Sequence, residues 1–123
     1  MNKVFYRGHI AGVTFSNNNA QPRLNILQKI AVGEVLQLVK EPTNKVDPNA
    51  IKIMSKQGQL GYIKASDLLI FRLVELDSLK VILLEKNTSK KQDVTYGKIE
   101  VWCNNYKPSQ PDIKSRLDKL FYL

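Results

Sequence analysis

Six short runs rich in β-branched and aromatic residues divide this chain, and Gly, Pro, Asn or Asp bound each run. This pattern is typical of short β-strands joined by turns. The predicted strands cover residues 4–15, 35–40, 50–55, 60–63, 80–84 and 96–103. Six strands in a small domain favour a mainly β fold that closes, or nearly closes, into a barrel, because closure removes unpaired strand edges. Gly8 and Gly12 in the first run allow the bends or bulges that a small barrel needs.

Two helices are predicted beside the strands. Residues 66–76 are apolar on nearly every side, and Ser66 is placed to cap the first amides. Such a helix normally plugs or covers a barrel, although its surplus apolar face also suits a partner. Residues 112–122 form a second helix whose apolar stripe we expect to pack on the barrel. We therefore predict a barrel domain at 1–106, a helical extension at 107–123 and a polar loop at 85–92.

Length and composition limit the class of protein. The 123 residues suit one domain and exclude a multidomain enzyme. The chain lacks both a long apolar run and the apolar stretch of a secretory signal, which predicts a cytoplasmic protein with no membrane partner. One cysteine and one histidine cannot supply the four ligands of structural zinc. We expect no cofactor.

Residues able to carry catalysis are sparse. His9 lies within a predicted strand without a recognisable triad neighbour. The phosphate-cradling pattern G-x-x-x-x-G-K-[ST] is missing, so no ATPase activity is predicted. Asp112 with Lys114 is the nearest fragment of a metal-dependent nuclease, and three residues of this kind match often by chance. These observations predict a protein that is not an enzyme, with a small nuclease as the last alternative.

The charge balance and one aromatic residue point towards nucleic acid. Nineteen Lys and Arg against eleven Asp and Glu give a net charge of +8, which favours a polyanionic partner. Alternation in the last strand places Trp102 beside Lys98, opposite Ile99 and Val101. An exposed tryptophan there is a platform on which a base can stack. Coverage of Trp102 by the terminal helix is the equal alternative.

The loop between the second and third strands carries the densest local signal. It reads Glu-Pro-Thr-Asn-Lys-Val-Asp-Pro-Asn over residues 41–49. Its prolines and asparagines favour a tight, rigid turn, and Asp47 before Pro48 is a common turn former. One interpretation is a stiff connection. The other is a preorganised polar rim for hydroxyl and phosphate groups, since a rigid loop loses little entropy on binding.

Three segments together resemble the HIRAN domain family. They are IAGVTF at residues 10–15, LVKEPTNKVDPNAI at 38–51 and GQLGYI at 58–63. The long pattern EP-x-N-x-x-D-x-NAI followed by G-x-x-GYI carries most of the resemblance, which extends from about residue 4 to residue 103. The resemblance implies a modified, OB-like β-barrel. HIRAN domains are known at the N-terminus of helicase-like DNA-repair ATPases and as small bacterial proteins.

The resemblance also implies a function and a set of site residues. It implies a non-catalytic module that binds single-stranded DNA or its free 3′ end in DNA repair or replication-fork processing, with a helicase-like ATPase as a partner in trans. The residues implied by position are Thr14, Phe15, Asn44, Asp47, Tyr62 and Lys64. Phe15 and Tyr62 would stack on bases, and Trp102 is a further ring.

The remaining expected roles concern phosphates and the terminal sugar. Lys45 and Lys64 would neutralise phosphates, while Asn44 and Asp47 would read the terminal sugar. Some positions depart from the family pattern. Thr14 stands where other members have a basic residue, Ser16 where they have a second aromatic, and Val46 where they have an aromatic before the aspartate. The alternative function is a protein-interaction adaptor that works through the apolar helices.

Overall fold

The structure is a computed structural model that describes residues 3–87 and 95–103. Its six strands form one antiparallel sheet in the spatial order β1-β6-β5-β2-β3-β4. The strands are β1 (Lys3–His9), β2 (Val35–Lys40), β3 (Ile51–Ser55), β4 (Gly58–Tyr62), β5 (Leu79–Asn87) and β6 (Tyr96–Cys103). The predicted mainly β class is thus confirmed. Within the described residues, no helix is long and apolar enough to cross a membrane.

Alternation along the strands builds the core. Successive side chains of a strand point to opposite faces, so every second residue of β2, β3, β5 and β6 turns inward. The inward, buried side chains are Leu36, Leu38, Ile51, Ile53, Val81, Leu83, Ile99 and Val101. One face of the sheet is therefore continuously apolar, and the helices pack against it.

The two edges of the sheet meet at Ala11 and Tyr62. Beyond β1 the amide of Ala11 donates to the carbonyl of Tyr62 at 2.8 Å, and the amide of Tyr62 donates back at 2.9 Å. Tyr62 ends β4, which is the opposite edge of the sheet from β1. This reciprocal pair satisfies backbone groups that an open edge would leave unpaired, and so closes the sheet on itself.

Gly61 makes this close approach sterically feasible. Its φ of +154° lies in a region that side chains other than glycine rarely adopt. A Cβ at residue 61 would clash with the carbonyl oxygen of Ala11 and lie 2.7 Å from Cγ2 of Ile10. Gly61, the second glycine of the G-x-x-GYI segment, is thus required at the point where the sheet closes.

The first strand, predicted over residues 4–15, is shorter in the structure. β1 ends at His9, and the chain then leaves the sheet for a turn in which Gly12 has a φ of +77°. The bend predicted at Gly12 is confirmed, whereas the bulge in β1 falls between Val4 and Tyr6 rather than at Gly8. β5 continues to Asn87, through the start of the predicted polar loop. The rest of that loop and the predicted helix at 112–122 lie outside the described residues.

A short helix that was not predicted packs on the sheet. Helix α1 (Arg23–Lys29) follows Pro22 and buries Ile26 and Leu27, with Ile30 just beyond it. Lys86 donates from Nζ to the carbonyls of Leu27, Gln28 and Ile30, which satisfies the end of the helix. The three-to-four-residue spacing of the apolar positions was the available signal, but seven residues give it little weight.

The apolar segment after β4 is a 3₁₀ helix rather than the predicted α-helix at 66–76. It spans Ala65–Leu73, and a second 3₁₀ turn covers Leu76–Ser78. A repeat of three residues per turn aligns Leu68 with Phe71, and both are buried. The predicted Ser66 cap is wrong, because Lys64 precedes the helix and Ser66 Oγ hydrogen-bonds only to Asp67 Oδ1.

Contacts to β1 hold this 3₁₀ helix in place. The Phe71 ring meets Phe5 and Tyr6 edge to face, with centroids 5.5 and 5.2 Å apart. The Tyr6 hydroxyl donates to Asp67, and burial together with this carboxylate raises the pKa of the phenol. Leu68 and Phe71 are therefore buried in their own chain, as expected for a helix that covers the barrel, whereas Leu69 remains 50% exposed.

The close approach at Gly61 yields a stability prediction. Gly61→Ala combines backbone strain with the steric clash against Ala11, so we expect a loss of about 3 kcal/mol or more in the free energy of unfolding. Gly33→Ala is the control, because Gly33 has a φ of +91° but no atom within 4 Å of a Cβ, and about 1 kcal/mol is expected. Urea denaturation measures both. Equal losses would contradict the steric role of the Ala11 contact.

Candidate nucleic-acid interface

Phe15 lies on a turn that directly follows Ala11, the residue paired with Tyr62. The amide of Phe15 donates to the carbonyl of Gly12 at 3.1 Å, which makes residues 12–15 a tight turn. Thr14 and Phe15 are both exposed, and 67% of Phe15 is accessible to solvent. The Phe15 ring is therefore accessible to a ligand.

Arg23, the first residue of α1, holds this turn in place through hydrogen bonds. Its guanidinium donates from Nη1 to the carbonyl of Gly12 at 3.0 Å and from Nε to Asn17 Oδ1 at 2.8 Å. The backbone amide of Arg23 also donates to the carbonyl of Phe15 at 3.1 Å. Arg23 therefore bonds to both ends of the turn at residues 12–15 and to Asn17 just beyond it.

Tyr62 lies next to the same guanidinium. The Cζ atom of Arg23 is 5.2 Å from the centroid of the Tyr62 ring, which is within cation–π range. The Tyr62 hydroxyl donates to Glu41 Oε1 at 2.8 Å. Tyr62 thus connects the Phe15 turn on one side with the start of the polar loop on the other.

Glu41 and Asn44 organise the polar loop at 41–50. Asn44 Nδ2 donates to Glu41 Oε1 at 2.8 Å, and Asn44 Oδ1 accepts the amides of Val46 and Asp47 at 2.9 and 3.0 Å. Lys52 Nζ lies 4.0 Å from the other oxygen of Glu41. The loop is therefore fixed by side-chain hydrogen bonds, and the amide of Asn44 is used within the loop.

Lys45, Val46 and Asp47 directly follow Asn44 in the loop. Lys45 is exposed, and Val46 is 95% exposed at the tip. Asp47 is half-buried, and its Oδ1 accepts the amide of Asn49 at 2.8 Å. Among the described residues, no donor reaches Oδ2 of Asp47. Lys64, exposed just after β4, adds a second cation close to Tyr62 in the chain.

Trp102 lies in a different part of the barrel. It is paired with Val4 at the beginning of β1, whereas Lys98 is paired with His9 at the end of that strand. His9 lies five positions after Val4, which corresponds to about 17 Å of extended strand. Trp102 is half-buried, and its Nε1 donates to Glu100 Oε1 at 2.6 Å. The structure therefore brings together seven of the eight predicted site residues and leaves Trp102 apart.

Glu100 is buried although it lies on the outer face of β6. Only 6% of it is exposed, because Arg7 and Trp102 both reach over it. Arg7 Nε lies 2.6 Å from Glu100 Oε2, and this hydrogen bond lowers the pKa of Glu100. Burial of the carboxylate acts in the opposite direction, and the hydrogen bond from Trp102 lowers the pKa further.

Two residues of the interface were missed from the sequence. Arg23 falls in a stretch, 16–34, to which no element was assigned, and Glu41 was quoted only as part of the loop motif. The signal for Glu41 was its position three residues before Asn44, within reach of the same turn. For Arg23 there was none, because its role depends on the tertiary approach of α1 to Tyr62.

The arrangement of His, Cys, Asp and Glu side chains bears on whether a metal or catalytic centre is present. Within 3–87 and 95–103, no group of three or more His, Cys, Asp and Glu lies close enough to hold a metal ion. Asp112 and Lys114 lie outside those ranges. His9 is exposed, and its ring meets Tyr96 edge to face at 5.5 Å.

Fold and site together define a small closed β-sheet domain that presents an exposed ring, a fixed tyrosine and a rigid polar loop on one surface. The sequence model of the HIRAN domain matches residues 3–103, so this chain belongs to the HIRAN domain family. That family is known for binding DNA, and its domain is a binding domain rather than a catalytic one. A comparison with curated proteins gave no match.

Two solved structures share the fold. A protein from Lactobacillus plantarum is 19% identical with a TM-score of 0.63, and the alignment covers 83% of this chain and 94% of that one. The HIRAN domain of human HLTF is 17% identical with a TM-score of 0.56, and the alignment covers 96% and 91%. At these identities the likeness supports the fold, and the expected OB-like architecture agrees with it.

The buried carboxylate on β6 yields a pH prediction. A folded-state pKa below the ordinary value near 4.3 stabilises the protein above that pH, and this contribution is lost as the pH falls through the folded pKa. We expect the Tm of the unaltered protein to exceed that of Glu100→Gln at pH 7, with the difference shrinking towards pH 3. Thermal melts across this range measure it, with Glu75→Gln at an exposed glutamate as control. A difference independent of pH would contradict the Arg7–Glu100 account.

Proposed function

We propose that this domain binds single-stranded DNA at a free 3′ end, as a non-catalytic module in DNA repair or replication-fork processing. One observation carries the proposal. A continuous series of contacts runs from the Phe15 turn through Arg23, Tyr62 and Glu41 to the Asn44 side chain. The aromatic rings that would stack on bases and the polar loop that would receive the strand end are therefore parts of one surface. The proposed partner in trans is a helicase-like ATPase.

Phe15 and Tyr62 take the stacking role in this proposal. Each stacked base contributes about 1–3 kcal/mol to binding, and stacking tolerates any sequence because every base has a flat face. Phe15 offers an exposed ring. Tyr62 is held by its hydroxyl and by Arg23, so its ring is oriented before DNA arrives. Thr14 lies beside Phe15 as a neutral contact.

Lys45 and Lys64 take the phosphate role. Both side chains are exposed, on the loop and just after Tyr62 respectively. Cations that neutralise phosphates release counterions from the DNA, so affinity falls as salt rises. The overall charge of +8 adds long-range attraction to the same effect.

Asp47 is the proposed acceptor for the terminal hydroxyl proton. Its Oδ1 is used by the Asn49 amide, which orients the carboxylate and leaves Oδ2 for a ligand. Asn44 then contributes to sugar recognition by fixing the backbone of Asp47. A carboxylate at this point also repels a 3′-phosphate, which gives preference for a hydroxyl end.

The departures from the family pattern make this surface less aromatic than in other members. Val46 is an exposed aliphatic side chain at the loop tip, where a ring would supply one more stack. Trp102 lies too far away along β1 to replace it. We therefore expect selection of the strand end to rest mainly on Asp47 and the two rings of Phe15 and Tyr62.

Replacing the carboxylate while keeping the turn tests the proposal. Asp47→Asn retains an oxygen for the Asn49 amide but removes the charge. We expect the preference for a 3′-hydroxyl over a 3′-phosphate oligonucleotide to fall by about tenfold or more, since hydrogen bonds to charged groups contribute roughly 1.5–3 kcal/mol. Fluorescence anisotropy with both oligonucleotides measures the ratio.

The matched control is Asp77→Asn, which removes the same charge from an exposed carboxylate outside this surface and should leave the ratio unchanged. An unaltered protein without any preference for the hydroxyl end, or an unchanged preference in Asp47→Asn, would refute the proposed recognition of the 3′ end.

A further inference from the structure

Arg23 is a buried cation without a carboxylate partner in the described part of the chain. Only 8% of it is exposed. The ion pairs within residues 3–87 and 95–103 join Arg7 to Glu100 and Lys52 to Glu41, and neither includes Arg23. Glu41, the carboxylate on the far side of Tyr62, already accepts two hydrogen bonds and faces Lys52.

Burial without a counter-charge is unfavourable for a guanidinium. Charged groups removed from water are usually paired with an opposite charge, because hydrogen bonds to neutral groups replace only part of the lost hydration. Arg23 has two neutral oxygen acceptors, from Gly12 and Asn17, and one ring face. Its positive charge is thus solvated by dipoles but not neutralised by the protein itself.

The position of this charge coincides with the proposed DNA surface. The guanidinium touches the carbonyl of Gly12 and lies over Tyr62. A Cβ on Gly12 would lie 3.0 Å from Arg23 Nη1 and 3.3 Å from the Phe15 ring, so the cation and the ring both lie on the same side of Gly12. Any strand stacked on Phe15 and Tyr62 therefore passes its phosphates close to an unneutralised cation.

We propose that Arg23 is a positioning and affinity-determining residue of this interface, whose missing counter-charge is supplied by a phosphate of the bound strand. This inference rests on the proposed function. The same guanidinium holds the Phe15 turn and occupies one face of Tyr62, so a base stacks on the opposite face.

Salt dependence distinguishes a charge role from a purely structural one. For single strands the slope of log affinity against log salt concentration changes by about 0.7 for each phosphate neutralised. Arg23→Gln should reduce the magnitude of this slope by about 0.7, so its loss of affinity is large at low salt and smaller at high salt. Fluorescence anisotropy with a 3′-hydroxyl oligonucleotide across salt concentrations gives the slope, and thermal melting confirms folding.

Two further variants complete the experiment. Arg23→Lys keeps the charge but cannot reproduce the forked contacts to Gly12 and Asn17, so we expect weaker binding with the unaltered slope. Lys29→Gln removes one charge from the exposed end of the same helix and should leave slope and affinity nearly unchanged.

The outcomes separate this inference from the proposed function. Binding with an unchanged slope in Arg23→Gln would overturn the charge role of Arg23 and leave the DNA-binding proposal intact. If Arg23→Gln does not fold, a slope in Arg23→Lys that differs from the unaltered protein would overturn it instead. Failure of the unaltered protein to bind the oligonucleotide at any salt concentration would refute both.

Discussion

The candidate interface depends on two backbone hydrogen bonds between Ala11 and Tyr62. They join the two edges of the sheet, and they place the turn that follows β1 against the end of β4. Gly61 allows the approach because it has no side chain. Without this closure, Phe15 and Tyr62 would lie at opposite edges of an open sheet, and no common surface would exist.

Polar contacts convert that closure into a preorganised surface. Arg23 fixes the Phe15 turn and one face of Tyr62, while Glu41 joins Tyr62 to the polar loop. Groups already held in their binding geometry lose little entropy when a ligand arrives. The interface therefore depends on the hydrogen bonds and ring contacts among its own side chains as much as on the groups that would meet DNA.

The strands were predicted better than the segments that connect them. β2 and β6 were predicted at their observed bounds because alternation of apolar and polar residues is a local signal. The first strand was extended too far, because an apolar run does not reveal that Gly12 adopts a positive φ. Helix α1 was missed because its short apolar pattern gains stability only from packing. Arg23 and Glu41 both contact Tyr62, which is distant from them in sequence, and a single sequence does not show those two contacts.

The most direct test of a single shared surface is ¹H–¹⁵N chemical-shift mapping of the full chain during titration with a short 3′-hydroxyl oligonucleotide. If the three segments form one surface, the amides in residues 12–17, 44–49 and 61–64 will shift together at one saturating concentration, while those in residues 98–103 around Trp102 will not. Shifts concentrated around Trp102, with the Phe15 turn and the polar loop unaffected, would contradict it.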